Sequence, residues 1–298
     1  MKHLLSIETL APPDLEIILA DAVNLKRERG RHNKLPLAGQ TWAMLFSKSS
    51  TRTRVSFEVG IRELGGQVIF LPANEIQLGR GEPIKDTARV LGRMVHGAVF
   101  RTFAQSDVEE FAHYAGIPTV NALTDREHPC QILADIFTFQ EKRGSIRGKV
   151  VAFIGDGAGN VATSWIFAAG KVGFELRIAA PKAFQPPAEL LKRAGGNIVL
   201  TEDVKAAAAG ADLLYTDVWV SMGREKEAAD RIRQMSGYQI NAGVIQLARP
   251  GSLVMHCLPA YRGKEIDEAT FEANAQTIFD EAENRLHAQK AILSWLVR

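Results

Sequence analysis

Short apolar runs alternate with helical patterns along the chain from about residue 40 onward. In the first half, apolar runs predict strands at residues 41–46, 67–71, 98–102 and 118–123, with helical periodicity near 52–64, 83–94, 106–115 and 130–143. An alternation of this kind is typical of βα units that share a parallel sheet. The first half of the chain therefore predicts one doubly wound domain.

The alternation is interrupted at residues 144–149, where glycines and charged residues replace the apolar pattern. Further apolar runs predict strands near 150–154, 175–180, 197–200, 212–216 and 252–256. The chain is therefore predicted to be an α/β protein with two doubly wound parallel-sheet domains, residues 1–143 and 144–298, and a cleft between them. Near the end, leucines recur on one face of a helical pattern, which predicts a C-terminal helix that docks back.

Composition and charge narrow the class of protein. Of 298 residues, 46% are hydrophobic and 23% are charged, which is typical of a globular protein. The net charge of +2 does not favour a nucleic-acid or membrane partner, so we expect a small-molecule ligand. The two cysteines, Cys130 and Cys257, lack the spacing of a metal site or a redox pair, and a reducing cytoplasm fits them best.

Hydroxyl-bearing and basic residues gather directly after the first predicted strand. Residues 47–54 read Ser-Lys-Ser-Ser-Thr-Arg-Thr-Arg and lead into a predicted helix. Backbone N–H groups at a helix start, together with hydroxyls and guanidiniums, favour an anion such as phosphate. A simple N-cap with two solvated arginines is the alternative. Because Arg52 and Arg54 would oppose the helix dipole unless an anion compensates them, we favour a phosphate site.

Four motifs in order resemble the aspartate and ornithine carbamoyltransferase family. Residues 50–54 (STRTR) and 128–131 (HPCQ) resemble its carbamoyl-phosphate motifs, and residues 217–223 (DVWVSMG) and 256–259 (HCLP) resemble those of its ornithine branch. The resemblance covers nearly the whole chain. It implies transfer of a carbamoyl group from carbamoyl phosphate to L-ornithine, in arginine biosynthesis or in the reverse catabolic role. It also implies a homotrimer, or a multiple of trimers, that needs no metal or organic cofactor.

The resemblance implies a carbamoyl-phosphate site with contributions from several motifs. Its residues would be Ser50, Thr51, Arg52, Thr53, Gln77, Arg101, His128, Gln131, Cys257, Leu258 and Arg285. Of these, Arg101, His128, Cys257 and Arg285 would take part in the chemistry, and Gln77 would reach the phosphate of a neighbouring subunit. Considered alone, Arg101 could be an exposed strand-end charge, His128 a structural hydrogen-bonding residue and Cys257 a packing residue.

The same resemblance implies an ornithine site after the strands of the second domain. Asp217 would pair with the α-ammonium group, while Asn160, Ser221 and the backbone of Met222 would bind the carboxylate. The purely structural alternatives are a strand-end cap for Asp217 and a helix N-cap for Asn160. The chain departs from the family pattern at Ser47, where a Glu is common, and at Gly159, where the family has a second Asn.

Two other functions compete with this interpretation. Residues 155–160 begin Gly-x-Gly after a strand, which suggests a dinucleotide-binding oxidoreductase. That fingerprint fails because Asn160 stands at its third glycine and the next predicted strand ends at Pro181 without the acidic residue that binds ribose. An inactive relative that only binds a phosphometabolite is the other alternative, and the presence of the phosphate, carbonyl and amino-acid motifs argues against it.

Overall fold

The computed structural model describes residues 1–221, 223 and 225–298, so Met222 lies outside the described residues. These residues form two compact units: Met1–Phe137 with Glu283–Arg298, and Thr138–Ala282. The sequence prediction divided the chain after residue 143 and assigned the C-terminal helix to the second domain. The difference arises because one helix runs across the boundary at residues 137–138 and another across the boundary at residues 282–283. The glycines near residue 144 therefore end a helix but do not mark a boundary between the units.

The first unit is built on a four-stranded parallel sheet. Its strands are β1 (Thr41–Phe46), β2 (Gln67–Pro72), β3 (Gly97–Arg101) and β4 (Thr119–Leu123), in the order β2-β1-β3-β4. Every residue of β3 is buried, as are all but the first of β1. A parallel sheet covered on both faces requires such continuous apolar strands, and this is why the sequence shows them as uninterrupted runs.

Helices cover the sheet of the first unit. They are α1 (Pro12–Arg27), α2 (Thr51–Glu63), α3 (Ile84–Leu91), α4 (Gln105–Ala115) and the start of α5 (Pro129–Arg143). The sequence analysis did not predict α1, although Leu15, Ile18, Leu19 and Ala22 are buried on one of its faces at helical spacing. Two short 3-10 turns, Ala73–Glu75 and Gln77–Arg80, connect β2 to α3.

Within the described residues, the second unit has a five-stranded parallel sheet. Its strands are β5 (Val150–Ile154), β6 (Glu175–Ala179), β7 (Asn197–Thr201), β8 (Leu213–Thr216) and β9 (Leu253–His256), in the order β7-β6-β5-β8-β9. The chain changes direction across the sheet between β5 and β8, which pair as neighbours. In open α/β sheets, ligands bind beyond the carboxyl ends of strands at such a switch point.

The remaining helices are α6 (Asn160–Val172), α7 (Ala188–Ala194), α8 (Val204–Ala208), α9 (Ala228–Met235), α10 (Ala242–Ile245), α11 (Glu268–Ala273) and α12 (Ala275–Leu296). The parallel sheets with flanking helices confirm the predicted α/β class, and α12 confirms the predicted C-terminal helix. From Glu283 onward α12 packs in the first unit, where Lys290 donates to Glu63 Oε2 at 2.6 Å. Of the helices in the described ranges, none is long and apolar enough to cross a membrane.

Candidate active site

The predicted phosphate site lies at the N-terminus of α2, directly after β1. Ser50 is the N-cap residue, and its hydroxyl accepts a hydrogen bond from the backbone N–H of Thr53 at 3.3 Å. The first turn also contains Thr51 and Arg52 but no acidic residue, so a guanidinium stands at the positive end of the helix dipole. Ser50 is therefore an N-cap, and the positive charge at this helix end still favours an anion.

Arg101 ends β3, and its side chain is buried instead of lying exposed at the strand end. Burial, together with the charges of Arg285 and Arg52, lowers the pKa of its guanidinium to about 10. Its Nε atom is buried without a hydrogen-bond partner among the described residues. Two buried guanidiniums and the half-buried Arg52, which act on one another, favour an anion beside them.

His128 lies directly before α5 in this positively charged region and is buried. Burial lowers the pKa of the imidazole well below its ordinary value, and the charges of Arg285, Arg101 and Arg52 add to this effect. The ring is therefore neutral at physiological pH. A neutral imidazole can donate an N–H hydrogen bond to a developing oxyanion without adding a further positive charge.

Arg285 links three helices of the first unit. From α12, its Nη1 donates to Gln131 Oε1 on α5 at 2.6 Å, and its Nη2 donates to Thr53 Oγ1 on α2 at 3.0 Å. Gln131 in turn donates from Nε2 to Asp135 Oδ1 at 2.7 Å, which orients the amide. Sequence reasoning missed Asp135, although a position four residues after Gln131 on one helix face was an available signal.

In the second unit, the predicted residues Asp217 and Cys257 follow the neighbouring strands β8 and β9. The Cys257 thiol donates to Asp217 Oδ1 at 3.0 Å. Burial raises the pKa of the Asp217 carboxyl, while His256 and the hydrogen bond from Cys257 oppose that rise. The pair therefore places an acceptor and a polarisable thiol together at the carboxyl edge of the sheet.

His256 holds the loop that contains Cys257 and Leu258. Its Nδ1 accepts the backbone N–H of Leu258 at 2.9 Å, so the proton is on Nε2, which lies 3.2 Å from Glu265 Oε1. Glu265 also accepts the backbone N–H of Tyr261 at 2.6 Å. Leu258 has a left-handed φ of 57° and precedes a cis proline. Sequence reasoning named neither His256 nor Glu265 as a site residue; the HCLP motif pointed to His256, and nothing local pointed to Glu265.

The other predicted site residues occupy three different places. Asn160 is the first residue of α6, and the N-cap is Gly159, so the N-cap interpretation of Asn160 is wrong. Ser221 lies half-buried in the loop after β8, and Met222 lies outside the described residues. Gln77 is exposed at the start of a 3-10 turn in the first unit. Within the described ranges, no group of three or more His, Cys, Asp or Glu residues is arranged to hold a metal ion.

Comparisons with known proteins match both halves of the chain. The model of the aspartate/ornithine carbamoyltransferase carbamoyl-P binding domain matches residues 2–141, and that of the Asp/Orn binding domain matches residues 147–296. An ornithine carbamoyltransferase of Akkermansia muciniphila is 54% identical over 99% of this chain and 98% of its own length. One from Campylobacter fetus is 48% identical over 100% of this chain and 99% of its own length.

Solved structures agree with these matches. The ornithine carbamoyltransferase from Pyrococcus furiosus superposes with a TM-score of 0.93 at 41% identity, covering 99% of this chain and 97% of that one. The anabolic ornithine carbamoyltransferase from Campylobacter jejuni gives 0.94 at 41% identity, covering 99% of both chains. Matched in both halves and in its full fold, the chain belongs to the aspartate/ornithine carbamoyltransferase family.

Proposed function

We propose that this protein is an ornithine carbamoyltransferase, which converts carbamoyl phosphate and L-ornithine to L-citrulline and phosphate. The observation that carries the proposal is the buried group of Arg101 and Arg285 around a neutral His128, a region whose charge calls for an anionic substrate. Ornithine as the acceptor is supported by full-length relatives named ornithine carbamoyltransferase.

Carbamoyl phosphate is proposed to bind with its phosphate at the N-terminus of α2. Ser50, Thr51, Arg52 and Thr53 would supply hydroxyls, backbone N–H groups and a guanidinium, and Arg101 would reach the phosphate from β3. As the C–O bond breaks, charge accumulates on the departing phosphate, and Arg52 stabilises it there.

The carbonyl group is proposed to be polarised by Arg101, His128 and Thr53, which hold the oxyanion of the tetrahedral intermediate. Gln131, Arg285 and the backbone carbonyl of Leu258 would bind the carbamoyl amide. The link from Arg285 to Gln131 and Thr53 supports this role, because donors that are held in advance need no reorganisation during the reaction.

Ornithine is proposed to bind to the loops that follow the strands of the second unit. Asp217 would pair with the α-ammonium, and the carboxylate would accept hydrogen bonds from Asn160, Ser221 and Met222. Cys257 orients the reactive side-chain amine, which attacks the carbonyl directly in its deprotonated form: a C–N bond forms, the C–O bond to phosphate breaks, and the nitrogen gives up a proton that balances the charge of the departing phosphate. Positioning two bound substrates accounts for several kcal/mol of the rate enhancement, on the order expected for such reactions.

Further parts of the proposal concern organisation. Residues 1–143 would bind carbamoyl phosphate and residues 144–298 would bind ornithine, in a cytoplasmic homotrimer or multiple of trimers. The exposed position of Gln77 is consistent with a contribution to a neighbouring subunit. The reaction would serve arginine biosynthesis or run in the reverse, catabolic direction.

The test is a carbamoylation assay of the purified protein with carbamoyl phosphate and ornithine, acetylornithine, putrescine or aspartate in turn. We expect citrulline to form from ornithine and no product from the other acceptors. Carbamoylation of aspartate alone would assign the chain to the other branch of its family. Activity only with NADH and a hydroxy acid would refute the proposal in favour of the oxidoreductase.

A further inference from the structure

Two loops leave the sheet of the second unit side by side. One follows β5 and leads to Asn160, and the other follows β8 and contains Asp217 and Ser221. The two strands are hydrogen-bonded neighbours, with Phe153 opposite Tyr215. The spacing between the loops therefore decides how the proposed ornithine-binding side chains face one another.

Arg231 on α9 contacts both loops. Its Nε donates to the carbonyl of Trp219, in the loop after β8, at 2.8 Å. Its Nη2 forms an ion pair with Asp156 Oδ2, in the loop after β5. The side chain of Arg231 is 9% exposed, and its guanidinium lies over the ring of Phe184, 4.6 Å from the centroid. One buried guanidinium thus joins the loops that follow two adjacent strands.

Asp156 is held on its other side by its own loop. Its Oδ1 accepts the backbone N–H of Ala158 at 3.1 Å while Oδ2 faces Arg231. The planar guanidinium presents donors in fixed directions, so Nε and Nη2 can serve the two loops at once. A lysine has a single nitrogen on a flexible stem and cannot reproduce both contacts in the same geometry.

The loop after β5 is closely packed at Gly157. A Cβ added to Gly157 would lie 2.6 Å from Ile178 Cγ2 and 3.1 Å from the carbonyl of Phe184. Trp219 is buried, and in the part of the chain that the structure describes its indole Nε1 has no hydrogen-bond partner. The loop after β8 is therefore anchored at this point through the Trp219 backbone and not through the indole nitrogen.

We propose that Arg231 is a positioning residue that sets the affinity for the amino-acid substrate. It holds the loop of Asp217 and Ser221 against the loop that leads to Asn160, without touching the substrate itself. The inference rests on the proposed function, because it takes these loops as the ornithine site. The two loops contain none of the residues proposed to bind carbamoyl phosphate, so binding of that substrate should not depend on Arg231.

The test compares the steady-state kinetics of Arg231→Met and Arg231→Lys with those of the wild type. We expect Arg231→Met to raise the KM for ornithine at least tenfold and to change the KM for carbamoyl phosphate less than twofold. Arg231→Lys should show a smaller rise in the KM for ornithine, because it keeps the charge but not both contacts. Arg233→Met is the matched control, since Arg233 lies on the same helix, is exposed and pairs with Asp230, and it should behave as wild type.

A second pair of variants controls for misfolding of Arg231→Met, which leaves the Asp156 carboxylate without its guanidinium partner. Asp156→Asn should also raise the KM for ornithine, and the double variant Arg231→Met with Asp156→Asn should be no worse than Arg231→Met, because both act through one contact. Equal rises in both KM values, additive effects or an unchanged KM for ornithine would overturn the proposal. Wild-type enzyme that uses a different acceptor would refute the proposed function instead, and the role of Arg231 would then be measured in the KM for that acceptor.

Discussion

Arg52 and Arg54 stand in the same helical turn but have different surroundings. Arg54 lies over the ring of Phe70 at 3.7 Å and has Glu58 Oε2 3.6 Å from its Nε. The charge of Arg52 instead acts on the buried Arg101 and His128. The sequence motif contains both arginines, and the side-chain environment separates their roles.

Replacing Arg52 by Ala should remove most of the activity and leave the fold intact. A charge-assisted contact to phosphate contributes about 1.5–3 kcal/mol to ground-state binding, so we expect at least a tenfold loss in kcat/KM for carbamoyl phosphate. Arg54→Ala is the control and should retain most of the activity. Near-normal turnover of carbamoyl phosphate by purified, folded Arg52→Ala would contradict the phosphate site.

Glu127 gives a prediction about pH and stability. Burial raises the pKa of its carboxyl to about 7, although Oε2 accepts the backbone N–H of Ile7 at 2.7 Å. Its Oε1 is buried with no hydrogen-bond partner among the residues described. The folded protein therefore holds a proton that the unfolded chain releases near its ordinary value of 4.5.

This difference in proton binding lowers stability as the pH rises from about 4.5 to about 7, and the full effect remains above that range. Glu127→Gln should remove this contribution, which is at most about 3.4 kcal/mol for a shift of this size. Urea unfolding of both proteins at pH 5 and pH 8 measures it. We expect the variant to gain stability relative to the wild type at pH 8; an equal difference at both pH values would contradict the assignment to Glu127.

At the scale of elements, α12 is attached to the first unit by a buried ion pair. The side chain of Lys290 is fully buried, 2.6 Å from Glu63 Oε2, and its Nζ lies 3.1 Å from His32 Nε2. The same helix contains Arg285, which contacts Gln131 and Thr53. The position of a candidate site residue therefore depends on how firmly this helix is held.

Lys290→Met should destabilise the protein by about 2 kcal/mol, because Glu63 would keep its charge without its buried partner. Lower kcat should accompany the loss, since Arg285 lies on the same helix. Adding Glu63→Gln should restore part of the stability. Arg29→Met removes an exposed partner of the same carboxylate and should cost less than about 1 kcal/mol. Thermal unfolding compares the variants, and equal losses for the two single variants would argue against a special role for Lys290.

At the scale of the whole molecule, the proposed trimer predicts complementation between inactive variants. Each site would take Arg52 from one chain and Gln77 from its neighbour in the ring. Random reassembly of equal amounts of Arg52→Ala and Gln77→Ala would then leave roughly a quarter of the sites with both residues intact. Mixed trimers should be more active than either parent, provided that Gln77→Ala alone is impaired. Activity equal to the average of the parents would show that Gln77 does not complete a neighbouring site.

The class of fold could be predicted from the order of apolar runs, and the candidate site residues could be proposed from local motifs. Buried parallel strands are continuous apolar runs, so periodicity located β1, β3, β5 and β8 without a structure. The candidate anion-binding turn of residues 50–54 was equally visible, because capping and dipole effects act between neighbours along the chain. The helix α1 was not predicted, although its buried residues Leu15, Ile18, Leu19 and Ala22 recur at helical spacing.

Which distant residues contact one another could not be predicted from the sequence and follows from the folded chain. Arg285 and Gln131 are 154 positions apart, and Arg231 and Asp156 are 75 positions apart. Local periodicity contains no information about such pairs, since their contact depends on how helices pack on a sheet and on the rotamers that this packing allows. The neutral state of His128 and the raised pKa of Glu127 likewise follow from burial, which is a property of the folded chain and not of the residue type.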